Sequence, residues 1–155
     1  MMAVLDRLSD VLPVPTSPRL ITKDMFVIII YDGLSPQTFN GQAVFANIDA
    51  EFTTDAFQDS HISFAPSDGS PTASIALPRS LLTGRTENQR IVFNFFLNDG
   101  LFIRRDSYIA ENNLQNDKLG GLAVAARIAG GVKVNDLRDR VNMTFAINPV
   151  SKFYE

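Results

Sequence analysis

Short apolar segments alternate along most of this chain with turns rich in glycine, proline, asparagine and aspartate. The clearest segment is 90–97, Arg-Ile-Val-Phe-Asn-Phe-Phe-Leu, which is short and rich in β-branched and aromatic residues, as strands are. The other predicted strands are 25–31, 43–48, 61–64, 73–77, 101–103, 122–128, 132–137 and 141–147. This spacing predicts a mainly β fold, an antiparallel β-sandwich. Residues 51–55 are ambiguous, and Leu81-Leu82 is consistent with a short helical turn.

Residues 1–12 form the segment with helical periodicity. Its apolar residues recur at helical spacing: Val4, Leu5, Leu8, Val11 and Leu12. A proline-rich segment at 13–18 ends the helix and predicts a linker. The helix has nothing of its own to pack on, so we interpret it as the end of a preceding helical unit. The predicted division is therefore a helix remnant with linker at 1–18 and a β-sandwich domain at 19–155.

Composition excludes several functional classes. The 155 residues are 45% hydrophobic and carry a net charge of −3, which favours a folded domain and argues against nucleic-acid binding. There is no cysteine and only one histidine, so thiolate and multi-histidine metal sites are excluded. No apolar stretch reaches the length of a membrane span, and the N-terminus does not have the pattern of a signal peptide. As written, the chain is expected to be soluble.

One pair of residues has the types needed for acyl transfer. His61 and Ser63 lie two positions apart, so they would share one face of a strand. An enzyme would also need a carboxylate to orient the imidazole, such as Asp59 or Asp68. No acid is identifiable from the pattern, and a polar strand face opposite Ile62 is the better interpretation. We therefore predict no catalytic residues and no enzyme.

Aspartate–glycine pairs and paired glycines are better explained as turns than as ligand sites. The pairs at Asp32, Asp68 and Asp99 offer oxygen ligands, but none has the spacing of a calcium-binding loop. The paired glycines at 120–121 and 130–131 match neither common phosphate-binding pattern. We predict no cofactor and no metal.

A single sequon, Asn142-Met143-Thr144, predicts N-glycosylation of Asn142 if the protein is exported. On the predicted strand, Asn142 points away from the core face.

The residues predicted to form the core are Phe93, Phe95, Phe102, Val124, Ile128, Val141, Phe145 and Ile147.

The order of segments in the second half resembles a known family. Ser-Ile-Ala-Leu-Pro at 74–78 precedes Ile-Val-Phe-Asn-Phe-Phe-Leu at 91–97, and Leu-Ala-Val-Ala-Ala-Arg-Ile follows at 122–128. Leu137, Val141, Thr144 and Phe145 then fall in the places of the closing segment, with Arg140 at the usual proline. This set resembles the GAIN domain (subdomain B) of adhesion G-protein-coupled receptors, also found in polycystins.

The resemblance implies a non-catalytic, extracellular part of a receptor at the plasma membrane. Its role would be to hold the tethered agonist strand by β-pairing in cell-surface signalling, and its link to the membrane would be downstream receptor spans. The family's proteolysis motif, with its cysteines, tryptophans and His-Leu-Ser/Thr tripeptide, follows the closing strand and is not in this sequence. We therefore expect a domain truncated before that site, with an open groove beside 141–147.

Two alternatives to this interpretation stay open. The first is an independent β-sandwich binding or adhesion module, although tryptophan, the usual residue of an aromatic binding platform, is absent. The second is an enzyme that uses His61, which predicts a polar pocket around it. An open apolar groove favours the receptor interpretation over both.

Overall fold

The computed structural model describes residues 2–23, 26–46, 52–55, 73–96 and 123–145. These residues form one helix, one 3-10 turn and eight strands. The helix α1 spans Met2–Val11, and the 3-10 turn spans Arg79–Leu82. The strands are β1 Arg19–Thr22, β2 Phe26–Leu34, β3 Gln42–Ala46, β4 Phe52–Asp55, β5 Ala73–Leu77, β6 Gln89–Phe96, β7 Ala123–Ile128 and β8 Asn142–Phe145. The predicted mainly β fold with a short N-terminal helix is confirmed.

The strands pair into two antiparallel sheets of four strands each. Sheet A has the order β1-β2-β6-β7, and sheet B has the order β4-β3-β5-β8. The two sheets face each other across a core of alternating side chains, as the period-2 patterns require. The buried core residues include Val27, Ile29, Val44, Ile75, Ile91, Phe93, Phe95 and Ile128. Of the predicted core, Phe93, Phe95 and Ile128 are buried, and Val124 is partly buried against the same cluster.

Helix α1 lies on the outer face of sheet A. Its residues Leu5 and Leu12 pack with Val14 against the buried side chains of Ile28, Ile30 and Val92. The helix therefore has a packing surface, contrary to the sequence-based expectation, because the outer face of β2 and β6 is apolar as well as the inner one. The domain boundaries given above stay a prediction.

Two segments differ from the predicted secondary structure. The predicted strand 132–137 is wrong, because only Val132 makes a bridge, to Ile128, and Asp136 adopts a left-handed φ of 52°. This segment connects sheet A to sheet B, so it runs between the layers instead of pairing within one. The Asp32-Gly33 turn is also wrong: it lies inside β2, where the pairing register with β6 shifts between Tyr31 and Leu34.

Strand β1 and the 3-10 turn are the remaining described elements. Strand β1 was not predicted, because its four residues follow the proline-rich segment and give little alternation. The predicted helical turn at Leu81-Leu82 is confirmed by the 3-10 turn, in which both side chains are buried. The predicted strands 61–64 and 101–103, and the core residues Phe102 and Ile147, lie outside the described residues.

Candidate functional site: the groove beside β8

The inner face of β8 is apolar and only partly covered. Met143 pairs with Ile75 and Phe145 pairs with Ala73, so these side chains share the inner face of sheet B. Ile75 and Ala73 are buried, whereas Met143 is 45% exposed and Phe145 is 47% exposed. The predicted burial of Phe145 is therefore wrong, and so is that of Val141, which is also exposed.

These side chains lie at the edge of sheet B. Strand β7 is the last strand of sheet A among the described residues, and it packs against β5 of sheet B. Strand β8 is the last strand of sheet B, next to β5, and its inner-face side chains Met143 and Phe145 are about half exposed. We call the surface formed by these two side chains (its floor) and the neighbouring edge of β7 (its wall) the β8 groove.

Two largely unpaired strand edges border the β8 groove. In the described part of the chain, β7 pairs with β6 and, through Ile128 alone, with Val132, and β8 pairs only with β5. An exposed strand edge carries backbone donors and acceptors that accept a further strand. Together with an apolar floor, these edges offer both the hydrogen bonds and the side-chain contacts that β-strand addition uses.

A second site, made of polar groups, joins α1 to the outer face of sheet A. Arg90 at the start of β6 donates from Nη1 to the carbonyl oxygens of Ser9, Asp10 and Leu12, at 3.2, 2.8 and 2.9 Å. These carbonyls belong to the C-terminal end of the helix, where backbone acceptors have no partner within the helix and a cation is favoured. Nη2 of Arg90 donates to Oδ2 of Asp32 at 2.8 Å.

Arg90 and Asp32 shift each other's pKa. The hydrogen bond from the Arg90 side chain is the main cause that holds the pKa of the Asp32 carboxyl below its ordinary value of 3.8, and burial opposes it. Asp32 likewise raises the pKa of Arg90. Because Asp32 is more easily ionised in the folded protein, its contribution to stability is present above pH 3.8 and is lost as the pH falls through the lowered pKa.

We expect Asp32→Asn to destabilise the protein near neutral pH but not in strong acid. The loss is no more than about 1 kcal/mol, because a half-exposed ion pair is screened by solvent. The measurement is the free energy of unfolding of both proteins across the acidic range. The difference between them is expected to be constant above about pH 5 and to shrink below 3.8. A difference that grows on acidification would contradict this assignment.

Of the site residues considered in the sequence analysis, Asp32 and Asn142 lie within the described residues. His61, Ser63, Asp59, Asp68 and Asp99 lie outside the described residues. Asp32 forms an ion pair with Arg90. Asn142 pairs with Ala76 on the face of β8 opposite Met143, as predicted, and its side chain is half-buried. Its glycosylation stays a prediction.

Sequence reasoning missed the arginine contacts, although a signal for them exists. Arg127 interrupts the apolar strand β7, and a charged side chain within such a strand needs a partner. On α1, Asp6, Ser9 and Asp10 are spaced three and four residues apart, so they form one polar face. Combining these patterns would have predicted the helix–sheet contact.

Comparisons with known proteins agree with this architecture. The family model for GAIN subdomain B, named GPS, matches residues 39–154, which is most of the chain. The chain belongs to this family. A comparison with curated proteins found no significant match.

One solved structure contains a region with a similar fold. The full extracellular region of zebrafish Gpr126/Adgrg6 is similar to this chain with a TM-score of 0.54 and 21% sequence identity. The similarity covers 83% of this chain but only 16% of that structure's chain, and at this identity it supports the fold alone.

No helix among the described residues is long and apolar enough to cross a membrane.

Proposed function

We propose that this GAIN subdomain B is a non-catalytic, extracellular part of an adhesion-receptor-like protein. Its function is to hold an apolar agonist strand in the β8 groove. The observation that carries the proposal is the half-exposure of Met143 and Phe145 on the inner face of sheet B, where their strand partners are buried. Membership of the family supports the choice of occupant, since the resemblance implies a strand that follows the closing segment.

The strand orders of the two sheets favour a particular placement of the agonist strand. A strand added to the free edge of β7 extends sheet A by one strand, and this strand lies over β8. Its alternate side chains then contact Met143 and Phe145, and its backbone pairs with β7. Such a strand leaves slowly, because a ladder of hydrogen bonds and two apolar contacts break together.

The test uses the full chain and a fluorescent heptapeptide with large apolar side chains at alternate positions and lysines at its ends. We expect saturable binding by fluorescence anisotropy. Met143→Glu and Phe145→Glu each place a charge on the groove floor, so each is expected to weaken binding at least tenfold, by about 1.4 kcal/mol or more. Leu20→Glu on β1 is the matched control, because it changes an apolar residue of similar exposure, 54%, on the strand at the opposite edge of sheet A from β7.

The competing outcomes separate the alternatives. A peptide with proline at alternate positions keeps much of its apolar surface but loses backbone donors, so it is expected not to bind. Equal binding of both peptides would indicate apolar adsorption and would overturn strand addition. Peptide binding unaffected by Met143→Glu and Phe145→Glu would favour an independent binding module with another surface.

A further inference from the structure

Helix α1 contacts the strand that forms the wall of the β8 groove. Arg127 of β7 lies on the outer face of sheet A, and its Nη1 donates to Oδ1 of Asp10 at 2.5 Å. Its Nη2 donates to the carbonyl oxygen of Asp6 at 2.6 Å and to Oγ of Ser9 at 2.5 Å. The Nε atom lies 3.2 Å from Oδ1 of Asp6, which adds a second ion pair. One side chain of the edge strand thus contacts three residues of the helix.

Asp10 also holds the end of β7. Its second carboxylate oxygen, Oδ2, accepts a hydrogen bond from the backbone N–H of Gly130 at 3.2 Å. Gly130 and Gly131 have φ angles of 80° and 70°, a conformation that glycine adopts without strain, and they turn the chain away from β7. The carboxylate of Asp10 therefore bridges the side chain of Arg127 and the turn that follows the strand.

Strand β7 depends on such contacts more than the inner strands do. In the described part of the chain its ladder is with β6 alone, apart from the single bridge of Ile128 to Val132, whereas β6 has neighbouring strands on both sides. Its inner-face residues Val124 and Ala126 are only partly buried, so apolar packing holds it less firmly than it holds β6. A strand with one ladder and modest burial belongs to the less stable part of a fold.

We propose that α1 is a latch that holds β7, and thereby sets how firmly the groove retains its strand. When α1 is in place, Asp10 and Arg127 keep the edge of β7 ready for pairing. When α1 is displaced, β7 loosens and a strand paired with it dissociates faster. The retention part of this inference rests on the function proposed above, whereas the latch itself does not.

The latch couples docking of α1 to strand binding in the β8 groove, and the coupling acts in both directions. If α1 stabilises the conformation of β7 that binds a strand, then a bound strand stabilises the docked position of α1 by the same factor. A partner that pulls on or binds α1 would therefore act on the groove without touching it. Asp10 and Arg127 are positioning residues in this arrangement, because they act through β7.

The experiment is hydrogen exchange of the full chain, with and without the Asp10→Asn substitution. Asparagine keeps the shape of aspartate but removes the charge, which weakens the contact with Arg127. We expect the amides of β7 to exchange at least tenfold faster in the variant, while those of β2 and β3 change less than twofold. Asp136→Asn is the matched control, because it neutralises an exposed acid whose left-handed backbone suits asparagine.

Each outcome decides a separate part of the inference. Unchanged exchange in β7, or an equal rise in all strands, would overturn the latch, since the helix would then do nothing or support the whole fold. The same proteins are next loaded with the apolar heptapeptide, whose dissociation is expected to be at least fivefold faster with Asp10→Asn. Faster exchange without faster dissociation would keep the latch and overturn its control of retention. Failure of the peptide to bind would overturn the proposed function alone.

Discussion

Phe93→Ala is expected to lower the free energy of unfolding by about 3–5 kcal/mol, the cost of removing a buried aromatic ring and leaving a cavity. Phe93 is fully buried on β6 and pairs with Ile29 on one side and Ala126 on the other. Its ring meets Tyr31 edge-on, with centroids 5.8 Å apart. Since domains are stable by about 5–15 kcal/mol, this change removes a large share of the total.

The matched control for Phe93→Ala is Phe145→Ala, which makes the same chemical change on the floor of the β8 groove. Phe145 is 47% exposed, so its truncation leaves no closed cavity and is expected to cost less than about 1 kcal/mol. Denaturant unfolding of both variants gives the comparison. Similar losses for the two would mean that Phe145 is packed as firmly as the core, and the β8 groove would then not be open.

The fold was largely predictable because its sheets follow local patterns. β6 is apolar from Ile91 to Phe96 except for Asn94, and it lies in the middle of sheet A, buried on both faces. The segment 132–137 has apolar residues as well, but its conformation is set by crossing between the sheets. The Asp32-Gly33 pair has the composition of a turn, yet β6 continues to pair beyond it and converts the expected turn into a bulge. Tertiary structure outweighed local preference in both cases.

The candidate site was less predictable because it depends on the relative position of the sheets. The pattern of β8 places Met143 and Phe145 on one face, and the register with β5 confirms that this face is the inner one. A period-2 pattern does not indicate whether a facing strand covers that surface. Cover over the inner face of β8 depends on the strands of both sheets together, so burial of Phe145 could not be judged from its own segment.

The contacts of Arg90 and Arg127 fix the position of helix α1 on sheet A. Apolar packing of Leu5 and Leu12 places α1 on sheet A, but it does not fix the helix along its axis. The guanidinium groups of Arg90 and Arg127 do so, because each has donors in a rigid fork that match particular acceptors. Arg90 contacts the end of α1 from an inner strand, and Arg127 contacts it from the edge strand. The first anchors the helix, which allows the second to hold β7.

This anchoring role predicts a loss of about 2–4 kcal/mol of unfolding free energy for Arg90→Met. Hydrogen bonds to charged groups contribute about 1.5–3 kcal/mol each, but the acceptors lie near the surface, where water replaces part of the loss. The substitution keeps the apolar stem and removes the contacts with three helix carbonyls and Asp32. Denaturant unfolding followed by circular dichroism measures the change.

Two further variants show whether the fork geometry or the charge of Arg90 matters. Arg90→Lys keeps the charge but not the planar fork, so it is expected to retain only part of the stability. Arg7→Met makes the same change as Arg90→Met at an exposed position of α1 and is expected to cost less than about 0.5 kcal/mol. If Arg90→Met were no more destabilising than Arg7→Met, the helix would be held by its apolar contacts alone. A latch that acts through Arg127 would then lack its anchor, because α1 would be free to shift along the sheet.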